Sequence, residues 1–108
     1  MDINKYTYQV SWSEEDQEFV ATVAEFPSLS WLAPGRQEAE SGLFDLVSEV
    51  VEDMEQSGEE IPAPLGGRTY SGRFNVRTSP SLHRKLVIMA KTEGVSLNTL
   101  VNQKLASA

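Results

Sequence analysis

The stretch RFNVR, Arg73 to Arg77, alternates charged, apolar, polar, apolar and charged side chains. A period of two is the pattern of a strand with one covered face. Phe74 and Val76 share one face, and Arg73, Asn75 and Arg77 share the other. The period then changes in TSPSLHRKLVIMAKTEGVSLNTLVNQKLA, Thr78 to Ala106. Ser79 ahead of Pro80 predicts a helix start, a hydroxyl cap followed by proline in the first turn. Leu82, Leu86, Met89 and Ala90 form a stripe at helical spacing, and Gly94 ends that helix in the left-handed conformation glycine tolerates. Ser96 caps a second helix, lined by Leu97, Leu100, Val101 and Leu105.

A strand and two helices in residues 71–108 do not make a complete fold. A lone strand leaves its hydrogen-bonding edges open. A module below about 40 residues usually needs disulfides, metal or oligomerisation, and the chain has no cysteine. The simplest completion is a two-fold dimer in which RFNVR pairs antiparallel with its own copy. Phe74, Val76, Leu82, Leu86, Met89, Leu100 and Val101 then form a shared core. Arg73, Asn75 and Arg77 project, doubled, from the outer face of a two-stranded ribbon. Such a ribbon fits the major groove of B-DNA. Arginine can donate twice to guanine, and asparagine can pair bidentately with adenine. The start of the second helix, Ser96, Leu97 and Asn98, offers free backbone N–H groups as a phosphate anchor. The anchor positions the ribbon, and the strand reads the bases. Against this stands the plainer reading of RFNVR as an edge strand carrying solubilising charge.

Upstream, SGEEIPAPLGG (Ser57–Gly67) is rich in proline and glycine and reads as a linker, placed at residues 59–70. It separates a first domain, residues 1–58, from the strand–helix–helix module, residues 71–108. In the first domain YTYQVSW (Tyr6–Trp12) and EFVATVAEF (Glu18–Phe26) are β-rich runs around the polar turn SEEDQ, a predicted hairpin. Ser28–Ala33 is a third strand. From Gln37 to Ser57, Ala39, Leu43, Leu46, Val47, Val50 and Met54 fall on one helical stripe, and Gly58 stops the helix. The expected fold is α+β: a three-stranded antiparallel sheet with one helix across it, joined to the second module.

Charge separates the halves as sharply as pattern does. Over all 108 residues the net charge is −7, yet residues 1–67 carry 15 acidic residues against 2 basic ones, a net −13. Residues 68–108 carry 7 basic residues against Glu93, a net +6. A basic module suits polyphosphate, and an acidic one suits a basic partner. The start of the chain does not read as a signal peptide and no apolar run spans a bilayer, which points to the cytoplasm, with association to the nucleoid when on DNA. The carboxylates Glu14, Glu15 and Asp16 raise the alternative of an acidic, metal-dependent nuclease. A hairpin tip is the simpler account, because catalytic metal sites need carboxylates converging from separate elements. No general base stands out, and His83 lies on a charged helix face beside Arg84 and Lys85. No enzymatic activity, metal or cofactor is expected.

RFNVR followed by SPSLHRKL and AKTEGVSLNTLV resembles the ribbon-helix-helix repressors. The fuller string YSGRFNVRTSPSLHRKLVIMAKTEGVSLNTLVNQKLA resembles the C-terminal domain of HicB-type antitoxins. YQVSWSEEDQEFVATVAEFPSL (Tyr8–Leu29) resembles their N-terminal domain, a truncated RNase H-like fold. The resemblance implies a bacterial antitoxin whose N-terminal domain covers a small RNA-cleaving toxin, HicA. It also implies repression of the antitoxin's own operon at palindromic or repeated half-sites, as a dimer or a tetramer. An orphan regulator without a toxin is the alternative within the same family.

Overall fold

Three strands and three α-helices, with short 3-10 turns at Ile3–Lys5 and Leu65–Gly67, follow one another along the chain. The computed structural model describes all residues, Met1–Ala108. They are β1 (Tyr8–Ser13), β2 (Glu18–Val23), β3 (Ser30–Ala33), α1 (Arg36–Ser57), α2 (Pro80–Glu93) and α3 (Leu97–Ala106). The fold is α+β, and the chain divides into two compact units, Met1–Tyr70 and Ser71–Ala108.

In the first unit the strands form an antiparallel sheet in the order β1-β2-β3. Tyr8 pairs with Val23, Val10 with Ala21 and Trp12 with Phe19, while Ala21 and Phe19 pair with Trp31 and Ala33 across the other ladder. Alternation therefore turns Ala21, Val23 and Ala33 toward α1, where they are buried. The strands start later or end sooner than the apolar runs suggest. Tyr6 is buried but sits ahead of β1. Phe26 lies beyond β2, where its N–H bonds back to the Val23 carbonyl in a turn. The two rings still meet edge to face, with centroids 5.5 Å apart.

Along α1 the fully buried residues are Ala39, Leu43, Val47 and Val51. Val51 replaces Val50 and Met54 at the core end of the expected stripe, and those two are half-buried. A helix laid across a twisted sheet makes contact along its four-residue ridge, which is inclined to the axis. The buried line therefore drifts off the stripe drawn parallel to it. Gly42 lies on the flank of this line against the Trp31 indole, which leaves no room for a β-carbon. Gly58 ends α1 at φ 72°, and the Glu59 N–H bonds to the Met54 carbonyl at 3.0 Å, which closes the helix end.

The chain after α1 is tied back to the first unit. The Tyr6 hydroxyl donates to the Pro62 carbonyl at 2.7 Å, Ile61 packs against the core, and the Leu65 N–H donates to Glu25 Oε2 at 2.9 Å. Glu25 also accepts from the Thr7 N–H at 2.8 Å and the Thr7 hydroxyl at 3.1 Å. Burial pushes the Glu25 carboxyl up, but these hydrogen bonds outweigh it and hold the group below the usual carboxylate range. Residues 61–65 thus form a strap on the residues that lead into β1 and out of β2.

Candidate nucleic-acid interface

In the second unit both helix starts follow from their capping residues. Ser79 Oγ accepts from the Leu82 N–H at 3.2 Å, with Pro80 in the first turn. Gly94 adopts φ 72°, and the Val95 N–H returns to the Ala90 carbonyl at 3.0 Å. Ser96 Oγ then accepts from the Thr99 N–H at 3.0 Å, which starts α3. A three-residue corner therefore folds α3 back on α2, with Ala90 and Leu100 buried.

Those two are the only fully buried side chains of Ser71–Ala108. Of the residues expected in a dimer core, Leu100 is already covered within one chain, and Leu86, Met89 and Val101 are half-buried. Phe74 is 74% exposed, Val76 68% and Leu82 44%. Val76, Leu82, Leu86, Leu97, Val101 and Leu105 line an open apolar groove of about 560 Å³. His83 and Lys104 stand among its lining residues. Leu97 and Leu105 are groove residues that the expected core left out, although their place on the apolar face of α3 was readable.

Arg73–Arg77 makes no ladder in a single chain. A period-two pattern supplies the faces of a strand but not the neighbour it needs, and no other strand lies within this unit. The segment is entered through Gly72 at φ 82°, a left-handed conformation that suits glycine. Ser71 Oγ accepts from the Arg73 N–H at 3.0 Å beside it. Arg73, Asn75 and Arg77 are exposed, and their side chains have neither hydrogen bond nor ion pair. Two guanidinium groups and one carboxamide are thus free to meet acceptors and donors outside the chain.

At the start of α3 the Ser96 hydroxyl is committed to its helix. It takes the Thr99 N–H and donates to Thr99 Oγ1 at 2.8 Å. The Leu100 N–H bonds to the Ser96 carbonyl at 3.0 Å. The N–H groups of Leu97 and Asn98 are left without an intrahelical acceptor, as helix geometry requires. The free donors at this helix start are therefore a pair of backbone N–H groups with the dipole behind them, and the serine side chain is not among them.

The acidic tip of the β1–β2 hairpin has local duties. Glu14 Oε2 accepts from Trp12 Nε1 at 2.7 Å, and Asp16 accepts from the Ser13 hydroxyl at 2.9 Å. No group of three or more histidine or carboxylate side chains converges anywhere in the chain. No helix is long and apolar enough to cross a membrane.

No curated protein and no solved structure matches the chain. The HicB family model matches residues 55–105, which take in the last residues of α1, the strap, the RFNVR segment and nearly all of α2 and α3, and this match supports a HicB-type protein.

Proposed function

We propose that the chain is an antitoxin. On this reading the first unit, a truncated RNase H-like domain, covers a HicA-type RNA-cleaving toxin. The second unit, a ribbon-helix-helix domain, represses the antitoxin's own operon through a paired ribbon in the major groove. The observation that carries the reading is the incompleteness of the second unit. A 68%-exposed valine lines an apolar groove and a 74%-exposed phenylalanine stands two residues before it, on a segment whose backbone has no partner. A second copy supplies both missing parts, a strand for the ladder and an apolar face for the groove. Pairing also sets Arg73, Asn75 and Arg77 side by side with their symmetry mates on one face, where arginine and asparagine have the geometry to read guanine and adenine. The Leu97 and Asn98 N–H groups hold phosphate and fix the ribbon's register. The family match over residues 55–105 supports the same reading. The strongly acidic first unit suits a basic protein such as an RNA-cleaving enzyme.

The test combines size and DNA binding. Phe74→Asp places a charge where a single chain leaves the ring in water, so it harms the isolated chain little. If the ring belongs to a shared core, the variant is a monomer by light scattering and loses DNA binding. Asn75→Ala stays dimeric and loses preference for DNA upstream of its own gene over random DNA. Normal DNA binding by a monomeric Phe74→Asp protein would overturn the ribbon. Failure of a co-expressed HicA-type toxin to co-purify would leave a regulator without a toxin.

A further inference from the structure

We propose that the open edge of β3 receives a basic, extended segment of the partner protein as a fourth strand. The inference rests on the antitoxin reading for the partner's identity, and on the first unit alone for its geometry. The order β1-β2-β3 leaves β3 with a neighbour on one side only. The backbone of Ser30–Ala33 makes no hydrogen bond beyond its ladder with β2. Two large apolar side chains stand exposed on this short strand, Trp31 at 43% and Leu32 at 41%. Long or apolar open edges are normally blunted with lysine, because they recruit other strands. β3 carries no charged residue at all.

The surroundings define what could pair there. Trp31 touches α1 at Gly42. Glu38, Asp45, Glu49 and Asp53 fall on the same flank of α1 as Gly42 by helical spacing, and all four are exposed. None has a cationic partner, since the only ion pair of the chain joins the Met1 amino group to Glu55. Side chains of an added strand that point toward α1 meet this carboxylate row. Those that point the other way meet Leu32 and its ladder neighbour Val20. The complementary strand therefore alternates basic and apolar residues. Pairing ends at Ala33, because Pro34 has no N–H to offer. A second copy of the same edge is a poor occupant, since it brings a second carboxylate row against the first. The opposite edge is less open. There Arg36 Nη1 already donates to the Val10 carbonyl at 3.2 Å, and the β1 residues facing away from α1 are Gln9, Ser11 and Ser13.

The probe is a synthetic octapeptide of alternating lysine and valine, titrated into the full chain and followed by backbone amide NMR. The expected result is shifts confined to Ser30–Ala33 and the adjoining flank of α1. An alternating glutamate–valine peptide should produce none. The double variant Asp45→Lys, Glu49→Lys, both exposed positions, should bind the lysine peptide at least tenfold more weakly. Shifts on Tyr8–Ser13 instead, equal binding of both peptides, or concentration-dependent shifts at β3 without peptide would overturn the proposal. A co-expressed toxin separates the two readings. Toxin binding that Leu32→Lys leaves unchanged refutes the edge and spares the antitoxin. Peptide docking at β3 without toxin binding refutes the antitoxin and spares the edge.

Discussion

Replacing Gly42 by alanine tests the contact that seats β3 on α1, and two opposing terms set its outcome. Gly42 lies in the interior of α1, where alanine is favoured over glycine by about 1 kcal/mol. On an empty flank Gly42→Ala would therefore stabilise the protein. The flank is not empty, because a β-carbon there falls on the Trp31 indole. The ring has to leave, and it is 43% exposed in place. A tryptophan with a little over half its surface covered loses about 140 Å² of burial on release, taking a full side chain at about 250 Å². At about 25 cal/mol per Å² that is about 3.5 kcal/mol. Allowing for residual burial in the unfolded chain brings it to about 2–3 kcal/mol. Packing outweighs propensity, and the net expectation is a loss of about 1–2 kcal/mol. Both tryptophans lie in the first unit, so urea unfolding followed by indole fluorescence in a Trp12→Phe background reports on that unit alone. The variant should show a lower midpoint, with Trp31 emission in the folded state shifted toward that of indole in water. A gain of about 1 kcal/mol would refute the reasoning, since it would mean that the ring does not rest on the glycine.

Arg77→Ala should reduce discrimination between operator and random DNA by about 1–3 kcal/mol in a competition titration, with the far-UV spectrum unchanged. Ser96→Ala removes the cap of α3 and leaves the Thr99 N–H without its acceptor, so thermal unfolding should show a loss of about 1 kcal/mol. Glu25 has a folded-state pKa below its unfolded value, so its contribution to stability is fully present above the unfolded pKa. That contribution disappears as pH falls through the folded value. Acidification should therefore loosen the strap, seen as a lower amide protection factor at Leu65 after correction for intrinsic exchange, and Glu25→Gln should flatten that pH dependence. Gly72→Ala forces a β-carbon into a left-handed conformation and should cost about 1–2 kcal/mol wherever that turn is kept, measured as a drop in ribbon stability by amide exchange in the proposed dimer.

Local chemistry was readable wherever one residue settles a boundary. Ser79, Gly94 and Ser96 mark the ends of α2 and α3, and Gly58 marks the end of α1, because a cap depends on a few adjacent atoms. The first two strands and α1 were readable from period, and β3 from its short apolar run. The strap was not. Glu25 and Leu65 are forty residues apart in the chain, and a proline-rich segment announces only that it is neither helix nor strand. Gly42 was equally silent, since a mid-helix glycine carries no sign of the ring that requires it. Val51 was missed because a stripe drawn parallel to the helix axis ignores the angle at which helix and sheet cross. Of the candidate interface, the exposure of Arg73, Asn75 and Arg77 could be read directly, and so could the capped start of α3. RFNVR itself forms no strand in a single chain, because period alone supplies no hydrogen-bonding neighbour.

The strap also governs reach. With Leu65 fastened to Glu25, eight residue steps separate that bond from Arg73, and the Tyr70 hydroxyl folds part of them back by donating to the Leu65 carbonyl at 2.9 Å. Fully extended they span at most about 28 Å. With the Leu65 bond released, Pro62 is still held by Tyr6, and the leash has eleven steps and spans up to about 40 Å. In the proposed dimer each ribbon would carry two such leashes, so the strap sets how widely the two acidic units can range. Shortening the leash raises the effective concentration of one unit near any partner already held by the other. A carboxylate that looks like a turn fastening would then act on avidity, by controlling whether one bivalent partner can be gripped from both sides at once.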